Sequence, residues 1–200
     1  MPTTTQPIPA TTPKTGTSEV RLATGRLNLI ALIGILLIFI LGSLLYNYIW
    51  EGFSAYSSGY LLGSILYQYF WETLLCAFLA NLLLSYLLLY FLNGRKAKDI
   101  GFIANWAGVA FYTKRPLPLK FFRLVLLLPA VLLGALPAVH GFCTGQPVVY
   151  FFGLMSLAAA IGDLMLWYKV RPFDDDDLAQ GGKGPFAVTI TRRNYHRHND

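Results

Sequence analysis

Charge is the scarcest feature of this sequence. Only 13% of its 200 residues are Asp, Glu, Lys or Arg, about half the share of a soluble domain. The shortage is concentrated in long apolar runs, and the mean hydropathy is +0.50, which argues against a water-soluble fold and for lipid. There are two cysteines and no C-x-x-C pair, so a disulfide framework is excluded and each reads as a free, buried thiol. No short apolar core lies near the start, so the first apolar run is expected to stay as an anchor rather than act as a secretory signal. No repeat of fixed period is visible, and neither is any nucleic-acid-binding module. The net charge of +6 is therefore assigned to the membrane surface, not to nucleic acid.

What is present is four apolar runs, at 29–50, 69–92, 121–142 and 148–168. A hydrocarbon core of about 30 Å needs roughly 20 residues at about 1.5 Å rise, and each run meets that length. The second run carries Glu72 near its start. The third has Arg123 at its entry and Pro129 and Pro137 inside, and the fourth carries Asp163. The expectation is an all-α membrane protein of four spans, with a membrane domain at 27–172.

Every Lys and Arg falls before the first span, between the second span and the entry of the third, or after the fourth, and the loops at 51–68 and 143–147 hold none. Basic residues stay on the cytoplasmic side. Both termini and the 93–120 loop are therefore expected in the cytoplasm, at the inner (plasma) membrane. Residues 1–26 are rich in Thr and Pro and read as a disordered tail. Within the loop, KDIGFIANWAGVAFYT alternates around a glycine and predicts a small β-hairpin. PFAVTITRR, in the 173–200 tail, predicts a further strand beside it. Asp174 to Asp177 read as a solvated linker, since an EF-hand would alternate its acids around a glycine. The 51–68 loop reads as interfacial or re-entrant. The expected partners are the bilayer and another membrane protein or a second copy.

Several stretches occur in an order that resembles a bacterial multi-pass membrane family of zincin-type peptidases, a domain of unknown function. Lys98-Asp99-Ile100-Gly101-Phe102 resembles its K-S-I-x-F strand. Arg115-Pro116-Leu117-Pro118-Leu119-Lys120, followed by Phe122-Arg123, resembles its E-P-L-x-x-K…Y-R entry to the third span. Pro129 through Gly134 and Pro137 resemble its P-x-x-L-L-G-x-x-P helix, and Ala160-Ile161-Gly162-Asp163 its A-x-G-D. The resemblance implies the fold and, in members with an intact site, zinc bound by an H-E-x-x-H on the second span. By the family's spacing that motif falls on Asn81-Leu82-Leu83-Leu84-Ser85, where both histidines and the glutamate are replaced. The other register, Trp71 to Leu75, keeps Glu72 but has no histidine. Depth favours the first, because Ser85 and Asp163 each lie about 10 Å in from the basic ends of their spans. The ligands that some members carry before the third span are also missing, where Phe111-Tyr112-Thr113-Lys114 stands.

A zinc hydrolase needs three protein ligands, an open position for water and a carboxylate to take its proton. Asn81 and Ser85 keep the helix-face spacing of the motif but are poor zinc ligands. His196 and His198 lie in the tail, and His140 at the far end of the third span. The first reading is a catalytically inactive relative without a metal, in which Asn81, Ser85 and Asp163, with Tyr86 nearby, form an inward polar cluster or vestigial pocket. Ala158, Ala159, Ala160 and Gly162 would let the fourth span approach its neighbour closely. A second reading keeps an enzyme with atypical metal ligands, for which Glu72, Cys76, His140 and Cys143 are a candidate set. A third is a small transporter or channel subunit with Asp163 as a proton or cation site.

Overall fold

The computed structural model describes residues 16–22, 24–50, 70–105, 108–182 and 184–192. The interfacial reading of 51–68 and the tail residues 1–15 and 193–200, His196 and His198 included, lie outside them. The first two long helices are α1 (Thr24–Trp50) and α2 (Phe70–Leu92). Both are apolar on every side, so their sequences specify a buried environment without specifying one packed face. α2 stops at Asn93-Gly94. Gly94 takes φ +67°, and the Arg95 N–H returns to the Tyr90 carbonyl at 2.8 Å, closing the helix in the manner of a Schellman cap.

The third long helix runs from Leu119 to Thr144 with a defect built in. α3 (Leu119–Pro129) ends where Pro129 has no N–H to offer the Val125 carbonyl. The Ala130 N–H turns back to Leu127. A π-helical stretch, Ala130–Ala135, follows, in which the Leu136 N–H reaches five residues back to Val131. α4 (Leu136–Thr144) then restores α geometry and closes at Gly145. α5 (Pro147–Ala159) and α6 (Ile161–Val170) come next, bent by 48° at Ala160.

Three helices, Asn28–Trp50, Phe70–Leu92 and Leu119–Thr144, are long and apolar enough to cross a membrane, and α5 with α6 would make a fourth if the bent pair is one span. Only 17% of the apolar window is buried inside the protein in each of the first two. So many outward Leu, Ile and Phe side chains would be a large exposed apolar surface in water, whereas lipid covers them without cost. This is a membrane protein. The expected spans 29–50, 69–92 and 121–142 each fall on one of these helices. The expected 148–168 is corrected to two helices, because at Ala160 (φ −85°, ψ 0°) the chain leaves α geometry.

Among the described residues, six short strands lie at the basic end. β2 (Ile100–Asn105) and β3 (Gly108–Thr113) form the antiparallel hairpin expected from the alternation. A second sheet has the order β1-β6-β5-β4, antiparallel throughout, from β1 (Thr17–Arg21), β4 (Leu117–Pro118), β5 (Leu178–Gly181) and β6 (Ala187–Thr191). Two expectations are corrected here. The tail is ordered over 17–21, because β6 offers an edge and Val20 and Leu22 reach the core. The C-terminal strand also joins β1 and β5, not the hairpin. This sheet packs on the ends of α3 and α6 through Leu119, Phe122, Leu166, Val170, Val188 and Ile190.

The four acids are likewise an ordered turn, not a linker. The Asp177 carbonyl accepts from the Leu119 N–H at 2.8 Å, and that of Asp175 from Lys120 at 3.2 Å, meeting two of the orphan donors that open α3. From α3, Arg123 returns the favour to the end of α6. Its guanidinium donates to the carbonyls of Val170 at 2.9 Å, Arg171 at 3.0 Å and Phe173, and pairs with Asp175. A cation at the last carbonyls of a helix is favoured by the dipole as well as by these bonds. At the other end, the Tyr150 hydroxyl donates to the Gly42 carbonyl at 3.0 Å, and the Trp50 indole N–H to Phe142 at 2.8 Å.

Candidate functional site

Asn81 and Ser85 are four residues apart on α2 and so share a face. Asp163 lies in the first turn of α6, just past the break. All three line one cavity of about 80 Å³, walled further by Val125 of α3, Ala159 of α5, Tyr112 of the hairpin and Phe186. Site-sized pockets for organic ligands run to several hundred Å³. This one has room for a few waters or an ion, not for a peptide.

Aromatic rings close the basic end of the cavity. The Tyr112 ring fills the space where Gly101 and Gly181 have no side chain, joining the two sheets. The Phe186 ring does the same at Gly108 and Gly162, where a Cβ on Gly162 would stand 2.4 Å from it. The small residues of the fourth span were expected to admit a neighbouring helix. At Gly162 the incoming group is instead Phe186, which the sequence places on no helix.

Of the residues lining the cavity, Asp163 is the one acid, and no Lys, Arg or His lines it. A carboxylate at this depth costs about 2.5–3.5 kcal/mol on insertion scales. Its place in the first turn of α6 offsets about 0.3–1 kcal/mol through the helix dipole, so the greater part falls to other groups in the cavity. Asn81 donates its Nδ2 to the Ala77 carbonyl at 2.8 Å. That bond fixes which way the amide faces and leaves Oδ1 buried with no protein donor. An orphaned acceptor costs about 1–3 kcal/mol. The cavity is therefore rich in oxygen acceptors, and its side-chain donors include the hydroxyls of Ser85 and Tyr112.

Tyr86, a candidate partner from the sequence, stacks on Tyr90 and meets the Phe111 ring at a tilt of 58°. The alternative set is not brought together. Glu72, Cys76, His140 and Cys143 are all exposed, and among the described residues no three of His, Cys, Asp and Glu are placed to hold one ion. The reason lies in α4, whose packed face is Ala138 and Gly141, which leaves His140 and Cys143 turned outward. The expectation of buried thiols is corrected with it, since both cysteines are free and exposed. In lipid an outward thiol needs no protein cover. Val125 and Phe186 were missed from the sequence, whereas Tyr112 falls in the stretch singled out as standing where some family members carry ligands. Pro129, four residues after Val125, was the available signal for the first.

The profile of a protein family described as "putative zincin peptidase" matches residues 74–176, just over half of the chain. The chain belongs to that family. No curated protein and no solved structure matches it. The match takes in Asn81, Ser85 and Asp163, but leaves out β1, α1, β5 and β6. The cavity's closing Phe186 also lies beyond it.

The zincin description implies a zinc ion, and the donors here do not suit one. Zinc in proteins takes imidazole, thiolate and carboxylate. The cavity offers one carboxyl group, an amide oxygen and the hydroxyls of Ser85 and Tyr112, with no imidazole or thiolate in its lining. No hydrolytic step is built on this set.

Proposed function

We propose that this zincin-family member is catalytically inactive and keeps the family's scaffold for a binding or regulatory role in the inner membrane. The observation that carries the reading is the pair Asn81 and Ser85, which occupies the cavity face where a zinc site would need two imidazoles. The partner of this reading is another membrane protein or a second copy of the chain, met within the bilayer. Purified protein exchanged into zinc-containing buffer and then desalted is expected to retain far less than one zinc per chain and to cleave no membrane-protein substrate. One zinc per chain, lost on Asp163→Asn, would overturn the reading.

On the same proposal the chain has four spans, with α5 and α6 serving as one broken span, and both termini face the cytoplasm. The support is the confinement of every Lys and Arg to three stretches. Cys143 is exposed near the end of α4, and Cys76 is exposed on α2. In intact cells whose outer membrane is permeabilised, a membrane-impermeant maleimide should label Cys143 in a Cys76→Ala background. Labelling only after the inner membrane is broken would reverse the topology.

A further inference from the structure

The acceptor-rich cavity poses a question that inactivity does not answer, namely what its oxygens bind. Asp163 supplies one carboxylate. Asn81 turns Oδ1 away from its bond to Ala77 and finds no protein donor for it. Ser85 supplies a hydroxyl, with two lone pairs and one proton to give. Val125 lines the same cavity, and its carbonyl has lost its helical donor, since Pro129 has no N–H and Ala130 donates to Leu127. Ala159 lines it too, at the break between α5 and α6, where the chain leaves helical geometry.

These are hard donors, and oxygen-only sets suit alkali and alkaline-earth ions, not zinc. Broken helices that offer carbonyls beside a buried acid are a known way of holding sodium within a membrane. Charge selects between ion classes. Asp163 is the one acid in the lining, so with its ionised form a monovalent cation makes the cavity neutral, whereas a divalent cation leaves a net positive charge in a low-dielectric site. The volume of about 80 Å³ suits an ion that keeps a water or two. Substitution of the two imidazoles would thus exchange one kind of metal site for another.

We infer that the cavity between α2, α3 and α6 is a sodium-sized monovalent cation site formed by Asp163, Asn81, Ser85 and the Val125 carbonyl. The inference rests on the inactive reading, and its test separates the two. Full-length protein in nanodiscs is equilibrated with radioactive sodium at constant ionic strength, with choline as the replacement cation. Saturable binding near one ion per chain is expected, with a rise in Tm that choline does not give. Asp163→Asn, which keeps the shape of the side chain, should weaken binding at least about tenfold. Asn81→Asp adds a second carboxylate and should reverse the order, so that calcium raises Tm more than sodium does. That gain keeps the test decisive if Asp163→Asn proves poorly folded. Sodium binding no better than choline allows, or unaltered in both variants, overturns the inference and leaves the inactive reading standing. Stoichiometric zinc in the same preparation overturns both.

Discussion

Changing Asn81→His, Leu82→Glu and Ser85→His together should turn a chain that retains almost no zinc into one that holds close to one zinc per molecule. All four positions line one cavity. Residues 81 and 85 share a helix face, Leu82 lines the same cavity, and Asp163 stands across it on α6. Two imidazoles and a carboxylate complete a three-ligand set that leaves a position open for water, and the new glutamate stands where a general base is needed. Structural zinc sites contribute about 10–16 kcal/mol, so even a fraction of that separates the variant from the parent by orders of magnitude in affinity. The measurement is zinc per chain after desalting. Adding Asp163→Asn to the triple variant should cost about 10–100-fold in affinity or more, the loss seen when even an outer partner of a ligand is removed. A folded triple variant that holds no zinc would mean that the α2 register is wrong or that Asp163 stands too far off. Either result would remove the ground for reading Asn81 and Ser85 as replaced ligands.

How much of this was legible in the sequence depends on which force places each element. The three long helices and the hairpin are written in local pattern. Twenty-odd apolar residues can do little but span, and alternation around Gly108 pairs β2 with β3 in the expected place. The convergence of Asn81, Ser85 and Asp163 could be argued in advance from depth alone, since residues at equal distance from the same end of antiparallel helices share a layer. What stayed hidden depends on partners far apart in the chain. Thr17–Arg21 reads as a polar tail until β6, about 170 residues later, supplies its edge. Asp174 to Asp177 read as solvated until α3 supplies the N–H groups they cap. Phe186 has nothing in its local sequence to announce that it fills the gap above Gly162.

The departure from the zinc pattern also has a physical coherence. Without imidazoles beside it, a lone Asp163 carboxylate in lipid would be a liability of a few kcal/mol. The substituents that stand in their place are an amide and a hydroxyl, not the Leu or Ala that would fill the space most cheaply in lipid. On the proposed reading, that face keeps its polarity without nitrogen ligation. A purely structural role for the cavity would be met by apolar packing, at lower cost to stability.

Gly153→Ala should be among the most damaging single-methyl changes in the chain. A Cβ there would stand 2.3 Å from the backbone nitrogen of Ala138, and one on Gly141 would stand 2.3 Å from that of Tyr150. Neither obstacle is a side chain that can swing away, so α4 and α5 would have to separate. In lipid there is little hydrophobic drive to hold two apolar helices together, and close backbone approach supplies much of their attraction. Overpacking costs about 1–3 kcal/mol and sometimes more. Each substitution is expected at the top of that range, and Gly153→Ala with Gly141→Ala should leave little folded protein. The control is Gly25→Ala, where nothing lies within 4 Å of the new methyl and better helix propensity should add up to about 1 kcal/mol. Unfolding by added denaturing detergent, followed by far-ultraviolet circular dichroism, ranks the three. A Gly153→Ala protein as stable as the Gly25→Ala control would show that α4 and α5 do not pack at backbone contact.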